Sequence, residues 1–265
     1  MLNARNGHIK LSNFEMDYIR FGNGEKPLVM IPGVGDGLRT VKGMAVPFAV
    51  LYRSLAKAFT VYVFSRRTEL FPGMTTRDMA RDQNRAMKAL GLSKVSLVGV
   101  SQGGMIAQWL AIDYPERVSR LILAVTLSRP NPTAQEVIGG WMKMAQAGDY
   151  KGIMMDTAAH SYTEERLRRT RKLYQLLGNV GKPKCFDRFM IQARSCITHN
   201  AYEELPRISC PTLVVGGTDD RIVTGKASTE ISAQIPDSKL KMYLGLGHSL
   251  YENPDFPEQV KRFCS

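Results

Sequence analysis

The chain has 265 residues, with 36 Lys and Arg against 24 Asp and Glu and a formal net charge of +12. That length suits one α/β core with a small insertion and buries enough surface to fold without disulfides. Cys185, Cys196, Cys210 and Cys264 lack metal-ligand or redox spacing and read as reduced structural thiols, and no apolar run is long enough to span a bilayer.

Residues 8–11 and 14–21 read as an antiparallel hairpin, and the apolar run Leu28-Val29-Met30-Ile31 reads as the first buried parallel strand. Pro32-Gly33-Val34-Gly35 breaks that strand into a turn. A helix is expected over residues 45–58, a strand over 60–64 and a helix over 76–90, stopped by Gly91. Residues 95–98 form a short apolar strand, 104–112 a mostly apolar helix and 121–125 the next strand. Between 129 and 206 the strand–helix rhythm gives way to helical stretches over 134–147, 150–160, 163–177 and 183–198. Strands resume at 211–215 and 240–244 with one helical stretch between them, and a helix from about 257 closes the chain. Alternating short strands and helices mark a mostly parallel sheet covered on both faces.

The most informative stretch is Gly99-Val100-Ser101-Gln102-Gly103, which sets a serine on a glycine-flanked turn between strand and helix. Such a turn lifts the hydroxyl above the sheet edge, and glycines remove side chains where the turn crowds its neighbours. A serine hydroxyl is a weak nucleophile at neutral pH, so an imidazole must take its proton and a carboxylate must orient that imidazole. Both follow in workable order. The strand 211–215 runs into Gly216-Gly217-Thr218-Asp219-Asp220, and the strand 240–244 into Gly245-Leu246-Gly247-His248. Each group follows a predicted strand, at what should be one edge of the sheet. His8, His160 and His199 fall in places that disfavour them as the base and read as surface or structural residues.

These motifs resemble the α/β-hydrolase fold superfamily, in particular its capped small-molecule esterases and lactonases. The resemblance spans nearly the whole chain and is strongest at LVGVSQGG…AIDYPERVSRLIL, PTLVVGGTDDRIV and GLGHSLYEN. It implies a mostly parallel, doubly covered sheet of α/β-hydrolase type with an inserted helical cap. Residues 1–128 and 207–265 would form the core and 129–206 the cap. It further implies Ser101 as nucleophile, Asp220 as acid, His248 as base, and the backbone N–H groups of Val34 and Gln102 as oxyanion donors. Asp219 would then be a helper or surface residue. Where many relatives carry His-Gly this chain has Pro32-Gly33, which leaves the oxyanion loop without its usual side-chain anchor. Where many carry Asp near Phe64 and Gly near Arg67, it reads Phe-Ser-Arg-Arg. Arg66 and Arg67 are thus open to a structural role, a solvent-facing one or contact with an acidic substrate.

The expected activity is hydrolysis of a small, moderately apolar carboxylic ester or lactone through an acyl-enzyme, with no cofactor and no metal. The same fold hosts acyltransferases, C–C hydrolases and cofactor-free haloperoxidase-like enzymes, and a noncatalytic ligand receptor on this core is the reading from a different class. Trp141, Met142, Met144, Met154, Met155, Tyr174 and Phe189 are candidates for the cap's inward face. The dense basic run at 166–172 follows Glu164-Glu165 and reads as a solvated helix face, with an acidic substrate or membrane surface as the alternative. The spread of basic residues argues against nucleic acid as a partner. No stable membrane insertion is expected, and residues 1–10 lack the apolar core of a signal peptide, so a cytoplasmic protein is expected.

Overall fold

A computed structural model describes residues 2–169 and 180–265. Its strands form one eight-stranded sheet in the order β1-β2-β4-β3-β5-β6-β7-β8. β1 (Arg5–Leu11) and β2 (Phe14–Phe21) make an antiparallel hairpin, and β2 continues antiparallel onto β4 (Phe59–Arg67). From β4 the sheet is parallel through β3 (Lys26–Ile31), β5 (Val95–Val100), β6 (Val118–Ala124), β7 (Thr212–Gly217) and β8 (Ser238–Tyr243).

The two-residue period of the strands sorts their apolar side chains onto two faces. Leu28, Met30, Val98, Val100, Ile122 and Val215 share one core, while Val29, Ile31, Leu97, Leu121, Leu123 and Val214 share the other. The first face is covered by α1 (Ala45–Leu51) and by a C-terminal helix (Asp255–Cys264) that inserts Phe256 and Val260. On the second lie α2 (Thr76–Ala89) and α3 (Gln102–Asp113), with Met79, Ile106 and Leu110 inward. Each fully buried aliphatic chain of this kind contributes roughly 1.5–3 kcal/mol. Burial on both faces explains why β5 reads as a continuous apolar run rather than an alternating one.

Helices α4 (Pro132–Gln146), α5 (Tyr150–Ser161) and α6 (Asp187–Ile197) lie between β6 and β7 and form the inserted cap. Asn131 caps α4 by accepting from the Ala134 amide at 2.8 Å, with Pro132 in the first turn; Asp149 caps α5 through the Gly152 amide at 2.8 Å. Trp141, Met142, Phe189 and Cys196 form a core under the cap that reaches Met105 and Leu127 below. After β7 come α7 (Gly225–Gln234), β8 and the C-terminal helix, α8.

Several boundaries differ from the sequence reading. The helix expected over 45–58 ends at Leu51, and irregular turns follow. There the amides of Leu55, Ala56 and Ala58 donate three residues back, to Tyr52, Arg53 and Leu55, in successive tight turns, and the Asn23 amide of the β2–β3 loop donates to the Ala56 carbonyl at 3.0 Å. β8 begins two residues earlier than expected and releases Leu244, 85% exposed, into a turn. α6 begins at Asp187 rather than 183. Of the helix expected over 163–177, residues 164–169 are helical; residues 170–177, with Tyr174 and Arg171-Lys172, lie outside the described residues.

At the β5–α3 junction the backbone packs without room for side chains. A Cβ at Gly103 would lie 1.9 Å from the Ile31 carbonyl oxygen, and one at Gly99 would lie 2.5 Å from that of Gly103. Both obstacles are backbone and cannot swing aside. Gly103→Ala should therefore lower stability by more than about 3 kcal/mol, read from urea unfolding against wild type.

Candidate active site

Ser101 occupies the turn from β5 into α3 at φ 54° and ψ −120°, a left-handed conformation unusual for a residue with a side chain. Such geometry costs about 1–3 kcal/mol and persists only where its surroundings enforce it. Here the Ser101 amide donates to the Ala124 carbonyl at 2.9 Å, and the Thr126 hydroxyl donates to the Ser101 carbonyl at 2.7 Å. The turn is clamped by β6 on one side and by glycine–backbone contact on the other.

Asp220 and His248 come from the ends of β7 and β8, and both are buried. His248 Nδ1 lies 2.8 Å from Asp220 Oδ2, while Asp220 Oδ1 accepts from the amides of Ile222 at 2.8 Å and Val223 at 3.0 Å. With Nδ1 engaged by the carboxylate, Nε2 is the ring nitrogen left for other chemistry. Burial raises the Asp220 pKa, but the charge and hydrogen bond of His248 and the two amides outweigh it, so the carboxyl sits below its ordinary value. Asp219, beside it, is exposed and accepts from the Thr218 hydroxyl at 2.8 Å.

Ser101 and His248 line one cavity of about 500 Å³ between the sheet and the cap. Its walls are mostly apolar, with Val34 and Val100 from the core and Trp141, Met154 and Phe189 from the cap. Trp141 is fixed by its indole N–H, which donates to Asp156 at 2.7 Å. Met142 is buried in the cap's core cluster, whereas Met144 and Met155 are only partly buried, and none of the three lines the cavity. The loop carrying Val34 lies against the serine, since a Cβ on Gly33 would come within 3.3 Å of Ser101 Cβ. Val34 and Gln102 each open a helical turn, so their N–H groups have no acceptor within it.

The sequence reading missed what anchors that loop. Arg66 is buried, and its Nη2 donates to the Pro32 carbonyl at 2.5 Å and to Gln102 Oε1 at 2.7 Å. Burial lowers its pKa to about 10, with the charge of Asp36 opposing, so it remains a cation at neutral pH. The Gln102 side chain is fully buried and donates to the Gln192 carbonyl at 2.8 Å and to the Ser195 hydroxyl at 3.0 Å. Asp36 completes the lattice, its Oδ2 accepting from Arg188 at 2.7 Å, Gln192 at 3.2 Å and the Arg66 amide at 3.1 Å. Arg66 is therefore structural and does not meet solvent. Arg67 is partly buried, donates to the Asn13 carbonyl at 2.7 Å and lies 3.7 Å from Asp82. The signal was present as an arginine ending an apolar strand in a chain whose oxyanion loop lacks histidine, but spacing alone does not reveal that the two meet.

The other histidines stay out of the site. His8 is exposed beside Asp17, and His160 accompanies Asp156 within α5. His199 is buried between Thr76 and Gln108, and burial lowers its pKa to about 3.

A family model described as the alpha/beta hydrolase fold matches residues 26–150. Along 90% of this chain and 86% of the relative, 27% of residues are identical to 2-hydroxy-6-oxo-6-phenylhexa-2,4-dienoate hydrolase of Burkholderia cepacia. A shorter match, 43% over 65 residues, covers 24% of this chain and 17% of the homoserine O-acetyltransferase of Thermus thermophilus. The enol-lactonase of Burkholderia xenovorans superposes with a TM-score of 0.81 at 19% identity, covering 97% of this chain and 99% of that one. With its sheet order and inserted helices, the chain has the α/β-hydrolase fold and carries a helical cap.

The depressed Asp220 pKa has a consequence for folding. Because the folded state holds this proton less tightly than the unfolded chain, the group stabilises the fold above the ordinary carboxylate pKa. That contribution is lost as pH falls through the depressed value. Asp220→Asn should lower Tm at neutral pH and flatten the acid decline below about pH 4. Melting curves across the acid range check this, and an acid limb identical to wild type would contradict it.

Proposed function

We propose that this protein is a serine hydrolase that cleaves a small, moderately apolar carboxylic ester or lactone through an acyl-enzyme. The observation that carries the reading is Ser101, held on a strained turn in the wall of the capped cavity that it shares with an Asp220-bound His248. His248 Nε2 takes the Ser101 proton as the hydroxyl attacks the carbonyl carbon. Asp220 holds the imidazole in the tautomer that leaves Nε2 free to accept, and stabilises the imidazolium that forms. The Val34 and Gln102 amides receive the negative charge developing on the carbonyl oxygen. His248 then protonates the leaving oxygen and activates water to release the acid. Every step uses groups of this chain.

A cavity of about 500 Å³ with apolar walls suits a small molecule rather than a polymer. The likeness to the enol-lactonase favours the lactone branch. Carbon–carbon bond hydrolysis is the second reading, favoured by the hydrolase of Burkholderia cepacia, which matches along 90% of this chain. The short match to homoserine O-acetyltransferase keeps transfer to a non-water acceptor in the comparison.

Initial rates on a panel of esters and lactones of graded acyl length, wild type beside Ser101→Ala, test the reading. Turnover should fall by on the order of 10⁴-fold or more in the variant, while equal rates would remove Ser101 as the source. Faster release in the presence of an added alcohol or thiol, with matching transfer product, would replace hydrolysis by acyl transfer.

Arg66 acts in this scheme as a positioning residue. Arg66→Met should lower kcat by roughly 10- to 100-fold through a loosened oxyanion loop, with KM little changed. Arg66→Lys, which keeps one donor, should recover part of the loss. A rise in KM at constant kcat would instead mean that Arg66 shapes substrate binding.

A further inference from the structure

We propose that helix α1 and the cationic residues flanking it form a docking surface for an anionic lipid bilayer. The helix buries Ala45 and Ala49 against the sheet. Its outer face presents Val46, Val50 and Leu51, which are 61%, 54% and 49% exposed. This is the reverse of an ordinary surface helix, whose outward face is polar. Along this stretch of chain the charge has one sign, and the carboxylate that reaches it, Asp17 of β2, does so through the Thr40 hydroxyl at 3.1 Å. No Asp or Glu occurs between Asp36 and Glu69, whereas Arg39, Lys42, Arg53 and Lys57 do, and all four are exposed. Among the described residues none of the four makes a salt bridge.

An apolar helix face ringed by unpaired cations matches the boundary between acyl chains and anionic headgroups. The aliphatic side chains enter that boundary, and each nearby Lys or Arg contributes attraction at the surface. A second copy of the chain fits less well, because a two-fold contact would set these cations against their own equivalents. Among the described residues no helix is long and apolar enough to cross a membrane, so the contact is peripheral.

The surface adjoins the cavity. Phe48 and Leu51 of the same helix line it, as does Arg39, while the carboxylates in its wall, Asp36 and Glu252, are engaged by Arg188 and Arg166. Docking would set the cavity's cationic side toward the bilayer, from which an apolar substrate can enter. Only that last step rests on the proposed hydrolase activity; the docking itself does not.

The test is cosedimentation of the full chain with phosphatidylcholine vesicles, with and without phosphatidylserine. Wild type should bind the phosphatidylserine vesicles selectively and be released as salt rises. Lys42→Gln/Arg53→Gln/Lys57→Gln should weaken binding by on the order of a hundredfold. Val46→Ser/Val50→Ser should weaken it by roughly tenfold. Both variants should keep the wild-type Tm and the wild-type rate on a water-soluble ester. Absence of binding, or binding untouched by both variants, would overturn the proposal. So would a dimer that dissolves in Val46→Ser/Val50→Ser without vesicle binding, which would give the face to a second copy. Loss of ester turnover with docking intact would count against the hydrolase reading alone.

Discussion

Three strands have to meet at one turn for this site to exist. Ser101 holds a backbone conformation that its side chain disfavours, and it is held there from three directions. β6 accepts its amide through Ala124, Thr126 grips its carbonyl, and Gly103 brings the start of α3 against the end of β3 at Ile31. Because Ile31 leads directly into the Val34 loop, the contact that strains the serine also sets the loop beside it. Local strain at one residue is thereby sustained by the packing of a whole sheet edge.

The second constraint is electrostatic and ties cap to core. A buried guanidinium is costly unless it is hydrogen-bonded. Arg66 makes its bonds through Nη2 to the two segments that flank the serine, at Pro32 and Gln102, while its Nε and Nη1 are buried without a partner among the described residues. Gln102 and Asp36 then reach α6 through Gln192, Ser195 and Arg188. The helix that supplies Phe189 to the cavity wall is thus bonded to the residues that hold the Val34 loop. A second set of bonds joins the other end of the cap to the loops carrying Asp220 and His248. The Ser249 hydroxyl donates to the Ser161 carbonyl at 3.0 Å and Arg221 to the Tyr162 carbonyl at 2.9 Å. A shift of the cap would therefore be felt on both sides of the serine. This coupling accounts for the preservation of a polar lattice in a part of the protein otherwise filled with aliphatic side chains.

Much of this was legible in the sequence because it rests on local rules. Apolar runs of strand length, glycines flanking Ser101, and Asp and His each following a strand all depend on short-range backbone preferences and on side-chain chemistry. They placed Ser101, the pair Asp219-Asp220 and His248 at one edge of the sheet before any distance was known, and the choice of Asp220 came from the family resemblance. The reading went astray where a distant segment competes for a backbone group. Nothing between 45 and 58 announces that the chain tightens into turns after Leu51 and that its Ala56 carbonyl meets Asn23 of another loop, so the expected helix is too long. The role of the Gln102 side chain is hidden in the sequence because its partners lie about ninety positions away, in α6.

By itself, then, the sequence determined the alternation of strands and helices, the serine turn, the order in which Ser101, the aspartates and His248 follow their strands, and the presence of a helical insertion. Each of these follows from periodicity or from the conformations that glycine, proline and β-branched residues permit. Only the tertiary structure decided that Arg66 replaces the missing loop anchor, that Trp141, Met154 and Phe189 rather than Met144 or Met155 wall the cavity, and that α1 turns an apolar face outward. Those outcomes depend on which surfaces meet across long stretches of chain, and burial and hydrogen-bond satisfaction are settled only when they do.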